Sequence, residues 1–543
     1  MTPFSTARRG AWPTAALLAG VAAAAPLWCS RFLPFQDAPQ HLAAVTLLAG
    51  RDAAAAISRP FFQVDFAHAQ YAGVYLPAMW LARLVGPDAA IRLLLTATAL
   101  LLPLAAWMLL GSFGRDRRLA VFAPALFQTL PLFIGVYNFV AAVPVAILAI
   151  ALAERQLRSP ALWRGLLLAA VAVLVGYLHP SGLVVALAAV CVLAFTRRTR
   201  PAFALLPFAP ALALLALSAL HGPRTHEAAA FQSRIIWQSP LAQVRDILRF
   251  GNVFAGRVDE LFILVLVLLF GALVRQKAPK AREPGWYRMP LLATGLLVAY
   301  LAAPKDVGYV AYIHMRAIPF LLLFAIASAS IASTRRTSAL LVAAVAVQLL
   351  YAPYVAGQYR RFDREVSAPQ LAQVLSAAAP GARLISLMLD RKSKLVHFEP
   401  YLHFGLYYEV LRGGRARFNF GELPWMPLRF RDGVLPPTPY PLRWEFEVGS
   451  FDWHDALADA EYILVRTPDP DPDADAWDAP ERGAEFAAGW ALKERAGRWE
   501  LFVHAAASER ANTGERRKQR ADESEGNDSR AMLLTPVDTR SMR

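Results

Sequence analysis

The chain has 543 residues, of which 56% are hydrophobic and only 18% are charged, with a mean hydropathy of +0.36. This composition excludes a soluble enzyme, a disordered chain and a secreted disulfide scaffold. Its two cysteines, Cys29 and Cys191, lie in apolar runs, which argues against a disulfide framework or a cysteine metal site. The formal charge of +15 comes from basic residues that lie mostly between apolar segments, so we expect no nucleic-acid partner.

Apolar segments recur along the first two thirds of the chain. A membrane-spanning helix needs roughly 20 mainly apolar residues, and about eleven segments approach that length. They are 11–29, 89–111, 119–134, 136–153, 162–178, 180–196, 202–220, 259–274, 289–303, 317–334 and 337–354. Segment 71–85 has the composition of a further helix that dips into the membrane. The sequence therefore predicts an α-helical polytopic membrane protein in the lipid bilayer.

The basic residues predict the orientation of these helices, because they concentrate in alternate connections. One set of connections includes Arg8 and Arg9, the clusters 115–118, 155–164 and 197–200, the loop 275–288, and the pair Arg335 and Arg336. The positive-inside rule places this set, and the N-terminus, in the cytoplasm. With eleven spans, everything after residue 354 is then extracytoplasmic. Alternatively, the first span is a cleaved signal peptide, and residue 30 still begins outside the cytoplasm.

The sequence predicts three regions. A transmembrane domain covers 1–354 and carries a long exterior loop at 30–88. A small extracytoplasmic α/β domain covers 367–505, with expected helices at 371–378 and 404–411. Its expected strands are 383–388, 415–420 and 462–466, followed by a hairpin of 491–495 and 499–504. The polar, mixed-charge residues 506–543 predict a disordered tail.

Polar residues gather at the predicted exterior ends of the spans, whereas the span centres are nearly free of charge. That absence argues against an ion-coupled transporter, which keeps charged groups at mid-membrane. A ring of polar groups at one membrane face is typical of an active site for a membrane-delivered substrate. The candidate residues are Asp37, Gln40, His41, Asn138, His179, Lys305, His314 and Arg316.

The segment 35–42 carries the most information, because it directly follows the first span. Pro39 suits the start of a helix, so Asp37 lies near its N-cap. One interpretation is a helix cap, worth about 1 kcal/mol. The other is a general base held above the lipid headgroups. His41 shares that helix face, so a divalent metal between Asp37 and His41 is conceivable, although two ligands are a weak signal.

Structural interpretations compete for the other candidates. His179 precedes Pro180 and could simply cap the turn between two spans. Asn138 could satisfy backbone groups at a helix end, and Lys305 could form a surface pair with Asp306.

An aspartate directly after the first span, in a long exterior loop, resembles the GT-C class of polyprenyl-phosphate-sugar glycosyltransferases. Protein O-mannosyltransferases and the aminoarabinose transferases of lipid A belong to that class. A closer resemblance is to bacterial integral membrane proteins of GT-C type. It is carried by Asp37-x-Pro-x-His41-Leu42, the run Phe-Phe-Gln-Val-Asp at 61–65, Gly135-Val-Tyr-Asn138-Phe139, His179 and Arg316-x-x-Pro319.

The resemblance implies a glycosyltransferase of the bacterial inner membrane, with a polyprenyl-phosphate-linked sugar as donor. The acceptor would be an envelope glycan, a lipid or a protein on the extracytoplasmic side. Asp37 would be the general base, and Arg316, with Lys305 and His314, would contact the lipid phosphate. Gln40, His41, Asn138 and His179 would line the sugar pocket.

The chain departs from the named families in two places. Gln36-Asp37-Ala38 supplies one carboxylate where several families have a pair, and a downstream Lys-Pro-Pro signature is missing. A rival interpretation is a non-enzymatic scaffold or a flippase subunit for lipid-linked sugars. A scaffold would tolerate Asp37→Ala and Arg316→Ala.

Overall fold

Helices form most of the chain. The computed structural model describes residues 4–67, 69–197, 201–221, 235–276, 285–308, 310–423, 425–434, 445, 460–468 and 489–505. The longest helices are Phe4–Ala24, Pro87–Ser112, Tyr137–Arg158, Pro180–Arg197 and Arg335–Val366. The shorter ones are Ala38–Ala49, Ala53–Ser58, Ala72–Val85, Leu130–Ile134, Leu162–Leu178, Ala202–Leu205, Ala209–His221, Pro240–Arg249, Val258–Val274, Arg288–Ala302, Ile318–Ser328, Ala368–Ser376 and Tyr407–Leu411. The predicted tail 506–543 lies outside the described residues.

Five segments of the described chain are long and apolar enough to cross a membrane. They are Ala11–Trp28, Pro87–Ser112, Tyr137–Arg158, Pro180–Arg197 and Arg335–Ser376. Shorter apolar helices overlap further predicted spans, among them Leu162–Leu178 and Arg288–Ala302, and Ala72–Val85 overlaps the segment predicted to dip into the membrane. The structure therefore fits the predicted helical membrane protein, while the number of eleven spans stays a prediction.

The segment 119–134 differs from the single regular helix expected there. It forms a ten-residue 3-10 helix, Arg117–Leu126, and then the short helix Leu130–Ile134. Pro124 and Pro131 lack the backbone N–H that a continuous α-helix needs. Residues 119–124 are buried among neighbouring helices, and irregular backbone is tolerated at membrane depth only when protein covers it.

A buried carboxylate ties together one end of the helix bundle. Glu154 is fully buried and accepts hydrogen bonds from Arg158 and Arg197. Arg288 lies 3.8 Å away from the same carboxylate. These three arginines come from three different helices, and all of them belong to the connections predicted to be cytoplasmic.

The loop 30–88, which follows the first helix and is predicted to be exterior, is held in place at its start. Arg92 is buried and donates to the backbone carbonyls of Leu27, Ser30 and Arg31. Asp363, on the helix Arg335–Val366, accepts from the backbone N–H groups of Arg31 and Phe32 at 3.1 and 2.9 Å. The loop therefore begins from a fixed position between two long helices.

The C-terminal part of the described chain contains a small five-stranded sheet. Its strands are β4 (Arg383–Met388), β5 (Arg415–Ala416), β7 (Tyr462–Arg466), β8 (Trp490–Ala496) and β9 (Trp499–His504), in the order β5-β4-β7-β9-β8. β4 is parallel to β5 and β7, whereas β9 is antiparallel to β7 and β8. Apolar side chains cover both faces of β4, which explains its nearly continuous apolar sequence.

Two-stranded pairs join distant parts of the chain. β1 (Phe62–Val64), in the exterior loop, pairs antiparallel with β6 (Leu428–Phe430). Asp65 extends this junction through a 2.9 Å ion pair with Arg429. A second small pair joins β2 (Ile235–Ile236) and β3 (Asp306–Val307). The first pair docks the C-terminal region onto the exterior loop, and the candidate site lies at that junction.

Candidate functional site

A cavity of about 570 Å³ opens between the loop 30–88, the ends of several helices and the C-terminal region. Six of the eight site residues predicted from the sequence line it together: Asp37, His41, Asn138, His179, Lys305 and Arg316. They come from five separate stretches of chain, so the fold brings together residues that the sequence separates by up to 279 positions (316 − 37).

Asp37 is fixed by its backbone. The N–H groups of Gln36 and Asp37 donate to the carbonyls of Phe133 and Ile134, at 2.9 and 3.1 Å. Asp37 occupies the N-cap position of the helix Ala38–Ala49, yet its side chain makes no capping hydrogen bond. The carboxylate is therefore available to the cavity.

Gly135 permits the close approach of the two segments. Its φ of +96° belongs to the left-handed region, which favours glycine. A Cβ at this position would lie 2.6 Å from the Cβ of Asp37. The loop that carries Asp37 can therefore pack against residue 135 only because that residue has no side chain.

His403, from the C-terminal region, orients the Asp37 carboxylate. Its Nε2 lies 3.1 Å from Oδ1 of Asp37, and its Nδ1 lies 3.1 Å from Nε2 of Gln40. Oε1 of Gln40 accepts from the backbone N–H of Phe420 at 2.8 Å, which fixes the amide so that its nitrogen faces His403. The amide therefore donates to Nδ1, and Nε2 is the ring nitrogen that donates to Asp37.

Glu445 lies on the other side of His403. Its carboxyl is buried, 3.4 Å from Nδ1 of His403, and neither oxygen has a hydrogen-bond partner among the described residues. Burial raises the pKa of Glu445 well above its usual value, with the charges of Glu422 and Asp37 acting in the same direction. Burial therefore disfavours the charged form of the Glu445 carboxyl.

Both ring nitrogens of His41 are occupied by the protein. Nε2 lies 2.6 Å from the carbonyl oxygen of Gly135, and Nδ1 lies 2.8 Å from the hydroxyl of Tyr75. Tyr137 stacks on the ring at a centroid distance of 4.2 Å. Burial lowers the pKa of His41 to about 4, although Asp37 acts to raise it.

The donors around Asp37 do not fit a resident metal ion. With both nitrogens engaged, His41 has no lone pair directed at an ion shared with Asp37. Within the described ranges, no three histidine, cysteine or acidic side chains form a group that could hold a metal.

Arg316 gives the same cavity a positively charged wall, and His179 lies beside it. Nδ1 of His179 accepts from the backbone N–H of Ser181 at 3.1 Å, so the ring caps the helix Pro180–Arg197 and bears its proton on Nε2. Nε2 lies 3.2 Å from Nη1 of Arg316, whose guanidinium donates to Oγ of Ser181 at 3.2 Å and to the backbone carbonyl of Ala311 at 3.1 Å. In the part of the chain that the structure describes, Arg316 has no carboxylate within ion-pair distance. An anion placed there would accept from both groups.

The remaining predicted residues take different positions. Asn138 is buried at the cavity wall, and its Oδ1 has no partner among the described residues. Lys305 lies 3.9 Å from Asp306 and 5.5 Å from the ring centroid of Tyr312, and all three side chains line the cavity. Gln40 and His314 do not line the cavity. Gln40 holds His403, whereas His314 lies buried against Asp246 at 3.3 Å.

Sequence reasoning missed His403 and Glu445, which the fold brings to Asp37. His403 lies 366 positions after Asp37 (403 − 37) in a region whose sequence shows a helix and no motif. One feature of the sequence could have pointed to His403. The chain has only 10 histidines, and two of them, His397 and His403, follow shortly after β4 in the sequence.

No known protein family matches the sequence, and no curated protein matches it at a significant level.

Proposed function

We propose that this protein is a membrane glycosyltransferase that moves a sugar from a polyprenyl-phosphate carrier to an acceptor on the extracytoplasmic side. One observation carries the proposal: a single cavity holds an oriented carboxylate, Asp37, and a guanidinium, Arg316 beside His179, that has no carboxylate partner among the described residues. Sugar transfer from a phosphate carrier needs both a base for the acceptor and a positive site for the departing phosphate.

Asp37 takes the proton from the acceptor hydroxyl as its oxygen attacks the anomeric carbon. The bond between that carbon and the phosphate oxygen breaks, and its electron pair leaves with the polyprenyl phosphate. The guanidinium of Arg316 and the Nε2–H of His179 donate to this anion, and guanidinium groups suit phosphate because they bind it in a bidentate manner. Asn138 offers its free Oδ1 to a sugar hydroxyl.

The position of the cavity suits a substrate that the bilayer delivers. The residues that form it belong to predicted exterior segments, whereas Arg158, Arg197 and Arg288 of the predicted cytoplasmic connections converge on Glu154. This separation supports a site at the extracytoplasmic face of the bacterial inner membrane, close to the carrier's phosphate.

Turnover of purified protein with a panel of radiolabelled polyprenyl-phosphate sugars tests the proposal. The wild type should release polyprenyl phosphate from at least one donor. Arg316→Ala should lower kcat/KM about 100-fold, since a hydrogen bond to a charged group contributes about 1.5–3 kcal/mol. Arg51→Ala is a matched control, because Arg51 is exposed in the same exterior region and does not line the cavity.

Two outcomes would contradict the proposal. The first is a folded wild type that neither binds nor turns over any donor in the panel, which would favour the scaffold or flippase interpretation. The second is an Arg316→Ala variant with the same activity as Arg51→Ala.

A further inference from the structure

A second cavity, of about 750 Å³, lies beside the first at the exterior end of the helix Arg335–Val366. Five basic residues line it: Arg361, Arg364, Lys392, Lys394 and Arg498. Two acidic residues, Glu365 and Asp390, also line it. The cavity therefore has an excess of positive charge.

The two carboxylates are already engaged by other groups. Glu365 accepts from Oγ of Ser393 at 2.8 Å and lies 3.7 Å from Arg466, which does not line this cavity. Asp390 is ion-paired with Arg466 at 2.7 Å and with Arg498. The carboxylates thus neutralise Arg466 and Arg498, and neither of them pairs with Arg361, Arg364 or Lys392.

Three of the basic side chains are exposed and lack an acidic partner. Arg361, Arg364 and Lys392 have no carboxylate within ion-pair distance in the described part of the chain. Like charges held together in a concave surface raise the local potential and attract anions. The site is therefore built for a ligand with at least one phosphate-like negative group.

The helix Arg335–Val366 sets the height of this cavity relative to the bilayer. At a rise of about 1.5 Å per residue, a hydrocarbon core of roughly 30 Å takes about 20 residues. Counted from Arg335 in the predicted orientation, Arg361 lies about 9 Å and Arg364 about 13 Å beyond the core. Both guanidinium groups can then reach the headgroup layer, so a membrane lipid is the nearest source of phosphate.

Lys392 connects the two cavities, because it lines both of them. A molecule with its phosphate among Arg361, Arg364 and Lys392 would extend toward Asp37 without leaving the protein surface. A polar headgroup bound in this way would present its hydroxyl groups to the first cavity.

We propose that the second cavity binds the phosphate of an anionic membrane lipid and that this lipid is the acceptor. The evidence for lipid binding is the cationic cavity itself and is independent of the proposed function. The role of the lipid as sugar acceptor rests on the proposed function. Asp37 would deprotonate a headgroup hydroxyl of the bound lipid, which then attacks the sugar as described above.

Native mass spectrometry of the full chain in a neutral detergent tests the binding step. The probes are dioctanoyl phosphatidylglycerol, uncharged dioctanoylglycerol and soluble glycerol 3-phosphate. We expect the phosphatidylglycerol to bind best, and Arg361→Ala/Arg364→Ala to weaken it about 25-fold, or about fivefold for each cation removed. Arg360→Ala is the matched control, since Arg360 is exposed on the same helix but does not line the cavity.

The anion site would be overturned if the wild type bound dioctanoylglycerol and phosphatidylglycerol with equal affinity. It would also be overturned if Arg360→Ala lost as much affinity for phosphatidylglycerol as Arg361→Ala/Arg364→Ala. Equal affinity for glycerol 3-phosphate would overturn a membrane lipid as the source of the phosphate. The acceptor role is tested separately, by transfer of labelled sugar to the bound phosphatidylglycerol. Binding without such transfer, in a protein that turns over a donor, overturns the acceptor role alone, whereas failure to turn over any donor overturns the proposed function.

Discussion

His41 shows how one buried side chain supports the site without taking part in the chemistry. It bridges the carbonyl of Gly135 and the hydroxyl of Tyr75, and it packs against Tyr137. These contacts join the helix Ala38–Ala49, which follows Asp37, to the segment on which Asp37 rests. Neutral His41 is therefore part of the scaffold that fixes the base.

The lowered pKa of His41 predicts a loss of stability in acid. Burial lowers this pKa to about 4 from about 6.5, so below pH 6.5 the unfolded chain binds a proton that the folded chain does not. Stability falls as the pH falls, by on the order of 2 kcal/mol between pH 7.5 and pH 5. Thermal unfolding in detergent should show this slope in the wild type and a smaller slope in His41→Gln. An unchanged slope in the variant would contradict the assignment.

His403 is a positioning residue whose removal should lower kcat more than it raises KM. Its Nε2–H holds Asp37, and the loss of one such hydrogen bond, about 1.4 kcal/mol, corresponds to about a tenfold lower rate. His403→Ala should show this loss, and His403→Gln, which keeps a donor near Asp37, should recover part of it. A purely structural role would instead lower the thermal stability of both variants and leave kcat per folded molecule unchanged.

At the scale of elements, the contact between the segment 133–135 and the loop that carries Asp37 fixes the position of the proposed base. Gly135→Ala places a Cβ 2.6 Å from the Cβ of Asp37 and strains a φ of +96°. We expect kcat to fall about 100-fold, because a displacement of about 1 Å at a reacting group costs that much. Gly357→Ala is the matched control, since a Cβ there meets nothing within 4 Å. Full activity in Gly135→Ala would show that Asp37 does not need this position.

Elements with a strong local signal could be predicted from the sequence. The strands Arg383–Met388 and Tyr462–Arg466 were predicted at the residues observed, because each is a short β-branched or apolar run between turn residues. The strand expected at 415–420 contains only Arg415–Ala416, because the chain then turns at Asn419, whose side chain caps the next turn. The strands β1 and β6 were not predicted. Each has only three residues and pairs with a distant part of the chain, and so short a run shows no hydrophobic periodicity.

Part of the candidate site could also be predicted from a local signal in the sequence. Asp37, Asn138, His179 and Arg316 stand out because they are polar next to apolar spans. His403 and Glu445 lie in a region already rich in polar residues, where composition gives no contrast. Their role depends on the docking of the C-terminal region against the exterior loop, which is a tertiary contact.

At the scale of the whole molecule, the predicted orientation can be tested with matched serine substitutions. Ser376 is exposed in the C-terminal region, and Ser333 is exposed before the helix Arg335–Val366. In a background of Cys29→Ala and Cys191→Ser, a membrane-impermeant maleimide added to spheroplasts should label Ser376→Cys and not Ser333→Cys. Labelling of Ser333→Cys alone would reverse the orientation and place the cavity in the cytoplasm.

Asp37 as the general base is the centre of the proposed reaction. The decisive measurement is the rate of sugar transfer by Asp37→Asn, with donor binding measured in parallel. Asp52→Asn is the matched control, since Asp52 is exposed in the same loop and its side chain makes no capping bond. We predict a loss of about 100- to 10,000-fold in kcat for Asp37→Asn, with donor affinity and thermal stability retained, and no change for Asp52→Asn. An Asp37→Asn variant that transfers sugar at the wild-type rate would contradict the account.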